Sequence, residues 1–464
     1  MNPPQCHNNG CLFRVWAPLQ QSLSLQLQDK RIPMRPSPGG YFTADVPEIG
    51  DGARYHYIIG NDPYPDPASA YQPEGVFGPS QVVDHRRFPW TDAGWKGQPM
   101  EDLIFYELHI GAFTAEGAFD AIIPRLDDLA RLGINAIELM PVAAFPGDRN
   151  WGYDGVFLYA VQHSYGGPDG LKRLVDAAHR RGISVFLDVV YNHVGGEGNC
   201  LETYGPYFSE SYRTPWGKAI NYDGAWSDGV RDFIIGNVLY WAEHYHLDGV
   251  RLDAIHEIYD RNAVTIWDEL HAAVKRWEKK NGRSCWLVAE SDMNDPRVIQ
   301  PPGKNGKGLD AQWMDDFHHA LFTLLYPKEQ KHYVDFGTTE QLAKAMSAGF
   351  VHSGEYVKAR IRRHGASSAA IGGEHFVVFV QNHDLPGNRP GGERLSVLIG
   401  DQALKLAAAA VLLSPYIPML FMGEEYGEEA PFYFFCEYKD QDTINALREG
   451  RKKQLAGYGY TEES

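Results

Sequence analysis

Leu171-Lys172-Arg173-Leu174-Val175-Asp176-Ala177-Ala178-His179-Arg180-Arg181-Gly182-Ile183-Ser184-Val185-Phe186-Leu187-Asp188-Val189-Val190-Tyr191-Asn192-His193 carries the decisive pattern. It predicts a helix over 171–181, stopped at Gly182, then a strand over 184–189 that is apolar until Asp188. The same unit recurs in both directions. Upstream, residues 103–108 read as an apolar strand, followed by a helical stripe at Phe119, Ile122, Ile123, Leu126 and Leu129 that ends at Gly133, and then a strand over 136–140. Downstream, Val230, Phe233, Ile234, Val238 and Trp241 mark one helix face, and further strands read at 249–252, 285–289, 311–314, 376–380 and 419–421. Strand–helix alternation predicts a parallel sheet. Eight such units close into a (β/α)8, or TIM, barrel of ~250 residues or more with insertions. An open doubly wound sheet is the rival, but no Gly-rich phosphate loop follows the first strand.

The first 90 residues have another rhythm. Short alternating runs such as Leu12-Phe13-Arg14-Val15-Trp16 are separated by Pro and Gly clusters, which predicts a small immunoglobulin-like β-sandwich. The expected division is a sandwich domain over 1–95 and a catalytic barrel over 96–464, with long loops over 141–168 and after the third strand.

The formal charge of −17 is spread along the chain, so no basic face is visible for nucleic acid. No apolar run is long enough to span a membrane, and no secretory leader is visible at the start. Five cysteines (Cys6, Cys11, Cys200, Cys285, Cys436) are odd in number and scattered, which predicts reduced thiols in a cytoplasmic protein. The richness in Tyr, Phe and Trp fits a binder of sugar rings. The sequence is silent on oligomeric state.

Catalytic side chains of such a barrel sit at the C-terminal ends of its strands. Those ends carry Asp188 and His193 (third strand), Arg251 and Asp253 (fourth), Glu290 (fifth), and Asn382-His383-Asp384 (seventh). Glycoside cleavage needs one carboxyl to protonate the leaving oxygen and another to attack or stabilise the oxocarbenium ion. Arg251, two residues before Asp253 and on the same side of the strand, orients Asp253 as a nucleophile. The apolar approach Trp286-Leu287-Val288-Ala289 to Glu290 suits a general acid.

These four segments, in this order, resemble the α-amylase superfamily of glycoside hydrolases and transglycosidases. The resemblance implies Asp253 as covalent nucleophile, Glu290 as acid/base and Asp384 as transition-state stabiliser, with Arg251, His193, His383 and Asp188 around the reacting sugar. Tyr153, in Asn150-Trp151-Gly152-Tyr153-Asp154-Gly155, matches the aromatic beneath that sugar. Finer features resemble the trehalose-releasing members: Gln381 through Leu395 with Arg389 and Arg394, Trp313 through His319 with Asp316 and His318, and Pro431-Phe432-Tyr433-Phe434-Phe435. They imply hydrolysis of the α-1,4 bond beside the trehalose end of malto-oligosyltrehalose, with Arg389, Arg394, Asp316 and His318 as further sugar contacts. Adjacent residues on a helix face different ways, so sugar contact explains His318 and His319 better than a metal pair does. Asn192 matches a calcium-holding position of some amylases, but the rest of that cage is not recognisable. No metal or cofactor is implied. Trp151, Trp216 and Trp226 are candidate trehalose contacts. The family usually continues into a C-terminal β domain, whereas this chain ends at Ser464. Two rival readings are a branching or debranching enzyme acting at α-1,6 linkages, and a glucan-binding barrel without catalysis.

Overall fold

A computed structural model describes residues 3–328 and 333–461. The chain end at Ser464, on which the expectation of a missing C-terminal domain turns, lies outside the described residues.

The N-terminal part is two antiparallel sheets. One runs in the order Gln5–His7, Gly10–Trp16, Tyr41–Pro47, Arg35–Ser37; the other runs Lys30–Pro33, Ser24–Leu27, Arg54–Ile59, Asp62–Tyr64, with Ser80–Gln81 also paired to Arg54–Ile59. Phe13 and Val15 point inward while Arg14 between them is exposed, the alternation of a half-buried strand. Phe13 meets Tyr55 of the facing sheet edge to face at 5.0 Å, so this part is the expected small sandwich.

One expectation fails here. Cys6 and Cys11 are joined by a disulfide instead of being free thiols. The strands Gln5–His7 and Gly10–Trp16 are joined by the short Asn8-Asn9 turn, and their register sets Cys6 directly opposite Cys11. That pairing removes the thiol argument for a reducing compartment. No described helix is long and apolar enough to cross a membrane.

The barrel closes from eight parallel strands: β1 Phe105–Leu108, β2 Ala136–Leu139, β3 Ser184–Val189, β4 Gly249–Leu252, β5 Trp286–Ala289, β6 Ala311–Trp313, β7 Phe376–Val378 and β8 Ile417–Phe421, with β8 paired back to β1. The helical stripe after β1 is not one helix. Pro124 lies in a 3-10 turn between Phe119–Ile122 and Leu126–Leu132, and Gly133 ends the second piece at φ +103°. The stripe from Val230 to Trp241 is buried on Ser227–His244 as its spacing requires. Long loops carry small two-stranded pieces of their own, including a hairpin of Phe208–Thr214 with Gly217–Ile220.

A charged clamp ties the approach segment to the barrel floor. His179, at the end of helix Gly167–His179, meets Asp92 at 2.8 Å and Asp248 at 3.0 Å, and His246 also meets Asp92 at 2.8 Å. Trp95 stacks on His179 at 4.6 Å and donates from Nε1 to Asp248 at 2.6 Å. Burial disfavours the His179 cation, but Asp248 and Asp92 outweigh it and raise its pKa. Burial alone would raise the Asp92 carboxyl, yet hydrogen bonds from His179 and His246 hold it well below its usual range.

A histidine raised by folding stabilises fully below its unfolded value of about 6.5 and loses that contribution as pH rises through its folded value. A depressed aspartate stabilises above about 3.9 and loses its contribution as pH falls through its folded value. The clamp is therefore strongest between about pH 4 and 6.5. Asp92→Asn is expected to lower the melting temperature most within that window, with the deficit shrinking as pH rises beyond the His179 pKa. Equal deficits at pH 5.5 and pH 9 in thermal melts would contradict this account.

Candidate active site

Side chains along a strand alternate between faces, so the barrel interior is layered. Its lower layer is apolar, with Phe105, Ala136, Phe186, Val288, Trp313 and Met419 packed together. Gly249 makes room for this plug, because a Cβ there would lie 2.4 Å from Phe186 Cε1. Two residues further along, the same inward positions turn polar: Glu107 on β1, Glu138 on β2, Asp188 on β3 and Arg251 on β4.

Arg251 is the hub. Its buried guanidinium donates from Nη1 to Asp188 Oδ2 at 2.6 Å and to Asp253 Oδ1 at 2.9 Å, while Nη2 lies 2.9 Å from Glu290 Oε2. It also sits 4.2 Å from the centroid of the Trp313 ring. Asn192 Nδ2 donates to the second oxygen of Asp253 at 2.9 Å, which is the use this structure makes of the calcium-like position. Glu290 Oε2 accepts from the Ala254 amide at 2.7 Å, and the chain turns at Ala254 with φ +41°, a conformation costly for a residue with a Cβ. The surroundings of Glu290 are thus a cation and a backbone amide, not the apolar pocket expected from the residues preceding it.

Exposure is graded across the set. Arg251 and Asp188 side chains are 1% exposed, Asp253 12%, Glu290 20% and Asp384 43%, so the last three open onto the cleft above a sealed base. Burial raises the Asp188 carboxyl to about 7 despite the opposing pull of Arg251. Asp384 accepts from Asn388 Nδ2 at 3.0 Å. Arg451, from helix Gln441–Tyr458, donates in turn to Asn388 Oδ1 at 2.9 Å and to the Gly387 carbonyl at 2.7 Å.

The two histidines are in opposite states. Burial pushes the His193 imidazole down to about 4, so it is neutral at pH 7; its ring lies under Trp216 at 5.3 Å, and Asn192 accepts at its Nδ1. Burial also opposes charge on His383, but Asp384 and Glu107 prevail and raise it to about 9. Tyr153 stacks on His383 at 5.2 Å and donates its hydroxyl to Asp188 Oδ2 at 2.6 Å.

The remaining named residues divide. Asp316 is buried and accepts from Asn294 Nδ2 at 2.8 Å and from the amides of Val351 and His352 at 2.7 and 2.9 Å, so it ties those two loop segments together. His318 is also buried, with its Nδ1 2.7 Å from the Val380 carbonyl. Arg394 donates to the carbonyls of Met422 at 2.6 Å and Ala430 at 2.8 Å, which holds the segment after β8. Arg389 pairs with Glu393 at 3.3 Å. Trp151 is buried, and Trp226 is exposed at the start of Ser227–His244.

Asp315, beside the expected Asp316, is the carboxyl that feels Glu290 and Asp384; burial first, and then those charges, raise it well above the usual range. Glu107 and Glu138 were also not singled out from the sequence. Their signal was a lone carboxylate inside each of two otherwise uncharged barrel strands.

Arg251→Lys keeps the charge but cannot span three carboxylates, and is expected to cost about 1–3 kcal/mol of stability. An unchanged midpoint of chemical unfolding would contradict the hub geometry.

Residues 83–215 match the model of the alpha amylase catalytic domain. A malto-oligosyltrehalose trehalohydrolase from Saccharolobus solfataricus is 49% identical over 96% of this chain and 79% of its own length. One from Mycobacterium tuberculosis is 44% identical over 97% of this chain and 78% of its own. A Salmonella typhimurium crystal structure, provisionally classed as an alpha amylase, superposes with a TM-score of 0.92 at 42% identity, covering 99% of this chain and 78% of that one. The chain belongs to the malto-oligosyltrehalose trehalohydrolase family, glycoside hydrolases of the alpha-amylase type.

Proposed function

We propose that the chain hydrolyses the α-1,4 bond joining a malto-oligosaccharide to its terminal trehalose unit, with Asp253 as nucleophile, Glu290 as acid/base and Asp384 as transition-state stabiliser. The observation that carries this reading is the single guanidinium of Arg251 spanning Asp253 and Glu290. That arrangement suits the ~5–5.5 Å separation of a retaining pair better than the wider gap that admits a water in inverting enzymes.

In the first step an Asp253 oxygen attacks C1 of the glucosyl unit as its bond to the trehalose 4-oxygen breaks. The proton on Glu290 passes to that oxygen, and free trehalose departs. In the second, Glu290 takes a proton from water, whose oxygen attacks the same C1, displaces Asp253 and frees the shortened malto-oligosaccharide. Asn192 and Arg251 each hold one Asp253 oxygen, which orients the attack. Tyr153 offers a ring face to the reacting sugar. Cationic His383 donates to its hydroxyls and neutral His193 supplies a polar edge on the other side. Asp188 acts through Tyr153 and Arg251. Arg389 is kept as a further sugar contact, whereas Asp316, His318 and Arg394 are assigned to loop positioning because their polar atoms are engaged there.

We further assign residues 1–95 to a sandwich domain and 96–464 to the catalytic barrel; the sheet membership of residues 5–81 supports that division.

Incubation with malto-oligosyltrehalose, plain malto-oligosaccharide and glycogen is expected to release trehalose from the first and little from the others. Linear chains released only from glycogen would favour a branching or debranching enzyme instead. Asp253→Asn is expected to fold normally and lose at least about 10⁴-fold in kcat. Near-wild-type rates in that variant would sink the assignment.

A further inference from the structure

Glu107 is the only charged residue of β1, and its partner across the ladder is Glu138, the only charged residue of β2. Both are 1% exposed. Glu107 is fully engaged, because Oε1 accepts from His383 Nδ1 at 2.6 Å and Oε2 accepts from the His383 backbone amide at 3.0 Å. The far ring nitrogen of His383 lies 2.9 Å from the Tyr153 hydroxyl, which donates onward to Asp188 Oδ2, where Arg251 also donates. A continuous chain of polar contacts thus crosses the barrel from β1 through Asp188 and Arg251 to the other two carboxylates that Arg251 holds, Asp253 and Glu290.

We propose that Glu107 is a positioning residue: by gripping both the ring and the backbone of His383 it keeps that histidine a double donor, with Nδ1–H spent on Glu107 and Nε2–H turned towards Tyr153 and the reacting sugar. This rests on the reading of the site given above. The groups facing His383 are Glu107 and His109 from the β1 end, Glu138 from β2, Tyr153 from the loop after β2, Arg251 from β4 and the adjoining Asp384. Of these, Asp384 and then Glu107 favour its cation, but Asp384 approaches no nearer than 3.7 Å, whereas Glu107 hydrogen-bonds the ring at 2.6 Å.

Glu138 does not share the task. Among the described residues neither of its oxygens has a hydrogen-bond partner, and burial, reinforced by the Glu107 charge, raises its carboxyl well above the usual range.

The test is a 15N NMR titration of His383 in the full chain, comparing wild type with Glu107→Gln and Glu138→Gln. In Glu107→Gln the histidine pKa is expected to fall by about one to three pH units, whereas Glu138→Gln, whose oxygens make no hydrogen bond to His383, leaves it in place. The ratio of variant to wild-type kcat/KM cancels the titration of Glu290. For Glu107→Gln it is expected to approach unity near pH 5 and to fall about two- to hundredfold by pH 8, according to whether the histidine pKa falls by about one or about three units, where a merely structural defect gives one ratio at every pH. An unmoved His383 titration in Glu107→Gln, an equal fall in Glu138→Gln, or a pH-independent rate ratio would overturn the proposal. The NMR arm needs no turnover, so a wild-type protein inactive on glucans would defeat the reading of the site without obscuring the result for Glu107.

Discussion

Burying a guanidinium is costly unless every charge it faces is paired, and the site depends on meeting that condition. Arg251 lies at the end of β4 with Asp188, Asp253 and Glu290 around it, brought from three neighbouring strands. The barrel register makes this possible, since Asp188 is the direct ladder partner of Arg251 and Val288 is its partner on the other side. Removing water from the base strengthens each of these contacts, while the rising exposure from Asp253 through Glu290 to Asp384 leaves the reactive oxygens open to a sugar. The strained turn at Ala254 belongs to the same device, because it aims the amide that grips Glu290.

Around that hub the polar groups differ in charge because their neighbours differ. His193 and His383 are both buried, yet the first is neutral and the second a cation, because Asp384 and Glu107 together outweigh burial at His383. Glu107 and Glu138 are adjacent in the sheet but differ in neighbours: the first has both oxygens on His383, while the second makes no hydrogen bond among the described residues and is raised by burial. A glucan presents hydroxyls that both donate and accept, so a cleft with one cationic donor and one neutral imidazole matches it on two sides.

The barrel was legible because period and punctuation agree: Gly133 and Gly182 end helices where the apolar strands resume, and each of the eight strands falls within a few residues of its apolar run. Strand ends are where a barrel displays its chemistry, so Asp188, Arg251, Asp253, Glu290 and Asp384 could be read directly. What escaped was whatever depends on who faces whom. Asp316 and His318 sit one and three residues past Asp315 on the same helix, but helical geometry turns them into the loop packing and leaves Asp315 on the cleft side. Glu107 lies 276 residues from the histidine it holds, a pairing created only by barrel closure. Cys6 and Cys11 look unrelated as scattered thiols, and only the short turn between them sets them opposite each other.

The claim at the centre of the account is that Asp253 and Glu290, held by one guanidinium, act in two successive displacements at the same carbon. The anomeric form of the freshly released malto-oligosaccharide reports this directly, before mutarotation blurs it. Proton NMR during the first minutes of hydrolysis is expected to show the α-anomer at the new reducing end. An initial β-anomer would mean a single inverting displacement by water and would contradict the assignment of Asp253 as nucleophile.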